Sequence, residues 1–196
     1  MTTITTEEIK ALRDETGLSI MQCKKALEEA GGDPEKARIL LQKKSGDIAA
    51  KKGDRTLGAG VVSAYIHASG AIGVLVELSC ETDFVAKNPD FKAIAYDIAM
   101  HVAAANPKYL KREDISEDDR QKVSETLKEE VKDKPAEMQE KILQGKVDSY
   151  FADKVLLDQP FIKNPDLKIQ DLVNGAVQKF GERTEIRRFV RFSISE

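Results

Sequence analysis

The chain has 196 residues, 41% of them apolar and 33% charged, with a formal net charge of -3. These are the values of a well-solvated globular protein with enough material for a sizeable core, and they exclude a disordered tail or a membrane-embedded chain. The slightly acidic balance gives no general attraction to phosphate backbones, so direct nucleic-acid binding is not expected.

The first residues, MTTITTEEIK, lack both the basic-plus-apolar pattern of a signal sequence and the Arg-rich look of a transit peptide. No apolar run reaches membrane-spanning length, so no membrane association and a cytoplasmic location are expected. Cys23 and Cys80 lie far apart in apolar surroundings, which fits reduced, buried thiols better than a disulfide.

Thr5-x-x-Glu8 is a capping box that opens a first helix carrying Ile9 and Leu12, and Gly17 supplies its left-handed close. Ser19-x-x-Gln22 opens a second, with Met21, Ala26, Leu27 and Ala30 on a mainly apolar face that stops at Gly31-Gly32. Asp33-Pro34 caps a third, in which Ala37, Leu40 and Leu41 keep the helical period until the polar run from Lys43 to Gly46. Three short helices cannot each bury a face alone, so residues 1–45 are expected to pack as one small bundle. Residues 46–57, with two glycines of the stretch and its lysines, read as a linker, and as a solvated charged segment rather than a nucleic-acid patch because Asp47 and Asp54 interrupt it.

The period then changes to two. Val61 to His67 and Ile72 to Leu78 read as antiparallel strands joined through Gly70, the second with one wholly apolar face. Asn88-Pro89 opens a helix whose stripe of Phe91, Ile94, Ala95, Ile98, Val102 and Ala105 ends at Asn106-Pro107 and should cover the sheet. About residues 113–155, rich in Glu, Lys and Asp, two or three amphipathic helices are expected, with breaks at Pro135 and Gly145. A closing strand follows, with Ile186, Val190, Phe192 and Ile194 on one face and Arg187 and Arg191 on the other. The fold class is α+β: a small three-helix bundle, then residues 58–196 as an antiparallel sheet covered by helices.

Catalytic patterns are missing. There is no GxxxxGK[ST] loop, and Gly58-Ala59-Gly60 leads into a strand rather than a helix, so it fails as a dinucleotide fingerprint. His67 and His101 have no metal-ligand spacing with the cysteines, and no serine is framed as a nucleophile elbow. No cofactor and no metal are expected. Asp83 and Phe84 stand side by side after a strand; by burial statistics alone Phe84 reads as a core residue, and His101 as a packed helix histidine.

Two stretches, Leu12 to Leu27 (LRDETGLSIMQCKKAL) and Glu77 to Lys87 (ELSCETDFVAK), closely resemble the two signatures of the elongation factor Ts family. The resemblance extends to Ala99-Met100-His101-Val102-Ala103-Ala104, to Gln159-Pro160-Phe161 and to Arg187 through Phe192, so it covers essentially the whole chain. Leu18-Ser19-Ile20, where small residues and then methionine are usual, and Ser79, where asparagine is common, are departures from it. The family implies a ubiquitin-associated-like N-terminal bundle and an exchange factor, without chemistry of its own, for the GTPase elongation factor Tu. It would bind the GDP-bound GTPase, disturb Mg²⁺ and the phosphate loop, and leave the site to GTP. Carried over by position, the resemblance implies partner contacts at Thr82, Asp83, Phe84 and Val85, an N-terminal contact at Ile20 and Met21, and a contact on the phosphate-loop side at His101. The chain resembles the short form of the family, with one core half, in which a homodimer would supply a second. A passive adaptor built on the same three-helix module is the alternative.

Overall fold

The computed structural model describes residues 4–132 and 135–194. Helices α1 (Thr6–Thr16), α2 (Ile20–Glu29) and α3 (Pro34–Lys51) open the chain, and each begins at the cap legible in the sequence. Thr5 and Ser19 make complete capping boxes with Glu8 and Gln22, and the Asp33 side chain accepts from the Lys36 N–H before Pro34. Gly17, with φ at 67°, closes α1 through its N–H to the Arg13 carbonyl; in that left-handed region a side chain would be strained. The three helices enclose Leu12, Leu18, Cys23, Ala26, Leu27, Ala37 and Leu41.

α3 is longer than its apolar pattern suggests. It continues through Gly46 to Lys51, across positions expected to be linker. Its second half lies on α8 (Ile169–Phe180), where the buried Ser45 hydroxyl bonds the Leu41 carbonyl and the Gln178 side chain. Packing against a distant helix thus sustains a stretch whose own composition is polar, a tertiary override of local preference.

The central sheet is antiparallel in the order β1 (Ala59–Ile66), β2 (Ile72–Cys80), β5 (Thr184–Ser193). Gly60 serves this sheet rather than a phosphate: a Cβ there would sit 2.6 Å from the Leu78 carbonyl oxygen. Val74, Val76 and Leu78 of β2 are buried beneath α5 (Pro89–Ala105), against Phe91, Ala95, Ile98 and Val102, and α8 adds Ile169 and Val173 to the same core. The short helix α4 (Asp83–Lys87) links β2 to α5.

β5 does not keep one face inward throughout. Leu78 pairs with Ile186, but Glu77 pairs with Arg188, so Arg187 is an extra residue and the strand bulges there. A one-residue insertion reverses every later side chain. Ile186 is buried, whereas Val190, Phe192 and Ile194 are exposed and Phe189 takes the inward position. The expected single apolar face of the closing strand is therefore split by the bulge.

Helices α6 (Glu117–Lys128) and α7 (Ala136–Ala152) form a hairpin around a satellite cluster of Ile115, Val147, Phe151 and Val155. α7 runs unbroken through Gly145, where a helix break was expected, because Leu143, Val147 and Phe151 on either side are packed. A short hairpin, β3 (Pro160–Phe161) and β4 (Asn164–Lys168), leads into α8. Neither the hairpin nor α8 is among the elements expected from the sequence, although Ile169, Val173, Ala176 and Val177 are an ordinary buried helical stripe.

Gly145 is exposed and a Cβ there would meet nothing within 4 Å. Gly145→Ala is therefore expected to stabilise the protein by roughly 0.5–1 kcal/mol through reduced unfolded-state freedom, read as a rise in the thermal or urea midpoint.

Candidate partner-binding surface

β2 is bonded on both sides, so the segment leaving its end starts from a rigid point. Thr82 is extended (φ -126°, ψ 157°) and stands as the cap of α4, but its hydroxyl makes no capping bond. α4 is a single turn in which the side chains divide. Val85 and Ala86 point into the sheet core, Val85 only 4% exposed, while Phe84 is 80% exposed. Thr82 and Asp83 are exposed as well. Of the four consecutive contact positions that the resemblance implies, Val85 differs: on one helical turn its side chain faces inward and anchors its neighbours.

Asp83 pairs with Lys87 one turn on, at 2.5 Å. That hydrogen bond and charge hold its carboxyl below the usual aspartate range, so it is ionised at neutral pH. A bare aromatic ring thus stands beside a carboxylate and an ammonium on a short turn. Burial statistics alone favoured a core Phe84; exposure places it outside.

Ile20 and Met21 occupy the first turn of α2, outside the bundle core, at 58% and 73% exposure. The Ser19 and Gln22 box immediately beside them keeps this turn ordered while leaving both side chains to solvent.

His101 does not share this character. It is 1% exposed within α5, its ring 6.2 Å from that of Phe161. Nε2 faces the Gln159 side-chain oxygen at 2.9 Å, and Nδ1 accepts from the Ile162 N–H at 3.4 Å. Gln159 donates its own amide to the Asp153 carbonyl, which fixes the oxygen toward the ring. This network calls for the neutral tautomer protonated at Nε2. The His101 ring is turned away from the surface in this arrangement and ties α5 to the β3–β4 hairpin, at the position where the resemblance implies a contact.

Sequence reasoning missed Glu182. Its carboxylate, in the turn between α8 and β5, receives both the N–H and the hydroxyl of Thr82. A separation of a hundred residues leaves no local pattern from which that partner could be read.

The elongation factor TS family model matches residues 41–196. Elongation factor Ts of Carboxydothermus hydrogenoformans is 50% identical over 195 residues, covering 98% of this chain and 90% of the relative. That of Thermodesulfovibrio yellowstonii is 48% identical over 194 residues (98% and 97%), and that of Thermotoga petrophila 46% over 193 (98% and 97%). The chain belongs to the elongation factor Ts family. An elongation factor Ts acts in translation. Among the described residues, no cluster of His, Cys, Asp and Glu could hold a metal, and no helix is long and apolar enough to cross a membrane.

Burial keeps the His101 imidazole below the ordinary histidine range, and the Gln159 hydrogen bond opposes this only in part. The unfolded chain takes up a proton below about pH 6.5 while the folded ring resists, so His101 supports stability above that pH and loses it as pH falls toward the folded value. Thermal midpoints should decline between about pH 7 and 5.5 in the parent protein and less steeply in His101→Gln. An equal slope in both would assign the decline to other groups.

Proposed function

We propose that this protein is the guanine-nucleotide exchange factor of elongation factor Tu: it binds the GDP-bound GTPase and speeds GDP release. The observation that carries the reading is the exposed Phe84 ring, held on one turn at the end of the central strand. A large apolar side chain facing water on a rigid support suits insertion into a partner better than it suits the free protein. Phe84 acts as the wedge, and Asp83 and Thr82 guide its approach. Ile20 and Met21 supply the second contact from the N-terminal bundle, which we assign as a ubiquitin-associated-like binding domain.

Exchange of this kind needs no bond making by the factor. Partner and nucleotide weaken each other on the GTPase by one shared free energy, and a thousandfold to hundred-thousandfold effect corresponds to about 4–7 kcal/mol. An anchor aromatic in a desolvated contact is worth about 2 kcal/mol or more, a large part of that requirement. Disturbing the Mg²⁺ and phosphate-loop region of the GTPase releases GDP, and GTP then refills the site. The factor works in the cytoplasm and itself holds no nucleotide.

The outer face of the sheet is suited to a separate contact, with another copy of the chain. Val62, Ile66, Leu75, Val190 and Phe192 are exposed there, Phe192 to 67%. The pairing of Ile66 and Phe192 with Gly73, and of Leu75 with Val190, sets them on one side. This face is opposite the α5-covered core, and we assign it to a homodimer in which two sheets pack face to face, as apolar sheet faces do at about 10 Å.

Labelled GDP should leave elongation factor Tu faster when the protein is added at sub-stoichiometric amounts; no acceleration would favour a passive adaptor. Phe84→Ala should cost under about 1 kcal/mol of folding stability, as at other surface sites, yet slow GDP release by about thirtyfold or more, the rate equivalent of the lost anchor. A protein that unfolds easily but, where folded, exchanges normally would contradict this assignment.

Sedimentation should show a dimer at tens of micromolar, roughly the range in which a modest interface is occupied. Phe192→Lys should shift it to monomer with the fold retained, since the side chain is exposed in the single chain. A parent protein that sediments as a monomer would refute the face-to-face assignment.

A further inference from the structure

The β2–β5 ladder ends at the pair of Cys80 with Thr184, yet the bonding between these two chain segments continues. One and two residues further on, side chains take over from the backbone. Glu182 accepts from the Thr82 N–H at 3.0 Å and from the Thr82 hydroxyl at 2.6 Å. In return, Glu81 accepts from the Arg183 N–H at 2.5 Å. Two adjacent turns, one after β2 and one before β5, therefore hold each other reciprocally.

The grip on Thr82 is complete. Its carbonyl accepts from the Ala86 N–H and from the Cys80 thiol, each at 3.2 Å. The hydroxyl of a threonine at a helix start ordinarily caps the helix; here it is given to Glu182 and α4 is left without a side-chain cap. α4 has five residues, too few to hold a direction by its own hydrogen bonds. Its orientation is set from outside, by the burial of Val85 and Ala86 on one side and by Glu182 at the cap residue before it.

We infer that Glu182 is a positioning residue for nucleotide exchange: by holding Thr82 it sets the direction in which Asp83 and Phe84 meet the GTPase. The inference rests on the wedge reading of Phe84. Glu81 extends the same clamp toward the N-terminal helices, since it also takes the Arg55 guanidinium at 3.2 Å, while Arg183 donates to the Arg55 carbonyl at 2.6 Å. Lys52, at the end of α3, donates to the Gly181 carbonyl in the same turn at 2.7 Å. The segment after α3 and the turn that carries Phe84 are thus tied to one anchor.

The test measures GDP release from elongation factor Tu at increasing concentrations of the GDP-bound GTPase, with catalytic amounts of the full chain, to separate kcat from KM. Glu182→Gln retains shape but loses the charge and one acceptor, and Thr82→Val removes only the hydroxyl. Each should lower kcat by about tenfold, less than the roughly thirtyfold expected for loss of the anchor ring itself, with KM changed less than about twofold. Thr82→Ser should restore the rate. Added to Phe84→Ala, Glu182→Gln should slow release by less than about a further twofold, because both changes disable one unit. An unchanged kcat in Glu182→Gln or Thr82→Val, a change in KM alone, or full multiplication with Phe84→Ala would overturn the positioning role while leaving a slow Phe84→Ala as support for the wedge. Normal release by Phe84→Ala would overturn both. Thr82 is exposed, so Thr82→Val is expected to fold even where Glu182→Gln does not, and an unchanged kcat in it overturns the positioning role by itself.

Discussion

Burial of the inner face of β2 beneath α5 is the contact on which the rest of this structure hangs. Val74, Val76 and Leu78 are almost wholly removed from water, and each such side chain contributes about 1.5–3 kcal/mol. β2 is also the one strand of its sheet with a neighbour on either side. Its end is consequently among the best-anchored points of the chain, and the turn that presents Phe84 issues directly from it. Val85 and Ala86 return to the same core, so the exposed ring is bracketed by buried residues before and after.

The sheet has to serve two faces, and the bulge at Arg187 makes that compatible with one strand sequence. Before the bulge Ile186 closes the core over Leu78; after it Phe189 does so over Val76, and Val190 and Phe192 turn outward. Arg191 takes an inward-facing position and donates to the Ala103 carbonyl at 3.4 Å at the end of α5. The outward apolar face is then continuous from β1 to β5. A polar outer face would suffice for a protein that remained single, which is why this composition bears on association.

The surfaces assigned to the GTPase have a common construction. Ile20 and Met21 stand on a helical turn ordered by a capping box, and Phe84 on a turn ordered by side-chain bonds to a second turn. Each apolar group is displayed on a frame of hydrogen bonds, joined at Phe84 by the burial of Val85 and Ala86. Such preorganisation lowers the conformational cost of binding. His101 is part of the frame: neutral, hydrogen-bonded at both nitrogens and buried, it fastens α5 to the hairpin that precedes α8.

Features governed by neighbours a few residues away were legible in the sequence alone. The caps at Thr5, Ser19 and Asp33, the close at Gly17, the alternation of β2 and the stripe of α5 all arise from short-range hydrogen bonds and periodicity, and the chain folds accordingly. The positions of interest at Ile20, Met21, Asp83 and Phe84 were reachable only because they lie in stretches that resemble a family. What the tertiary structure alone decided depends on partners distant in the chain. α3 outlasts its apolar pattern because α8 lies beneath it, and β5 changes face because its register with β2 slips by one residue at Arg187. Val85 and Phe84 part ways because a single turn must both return to the core and project from it. Glu182 meets Thr82 across a hundred residues because both flank the end of one ladder. Periodicity reports which face a residue shares with its near neighbours; only the assembled chain determines what that face touches.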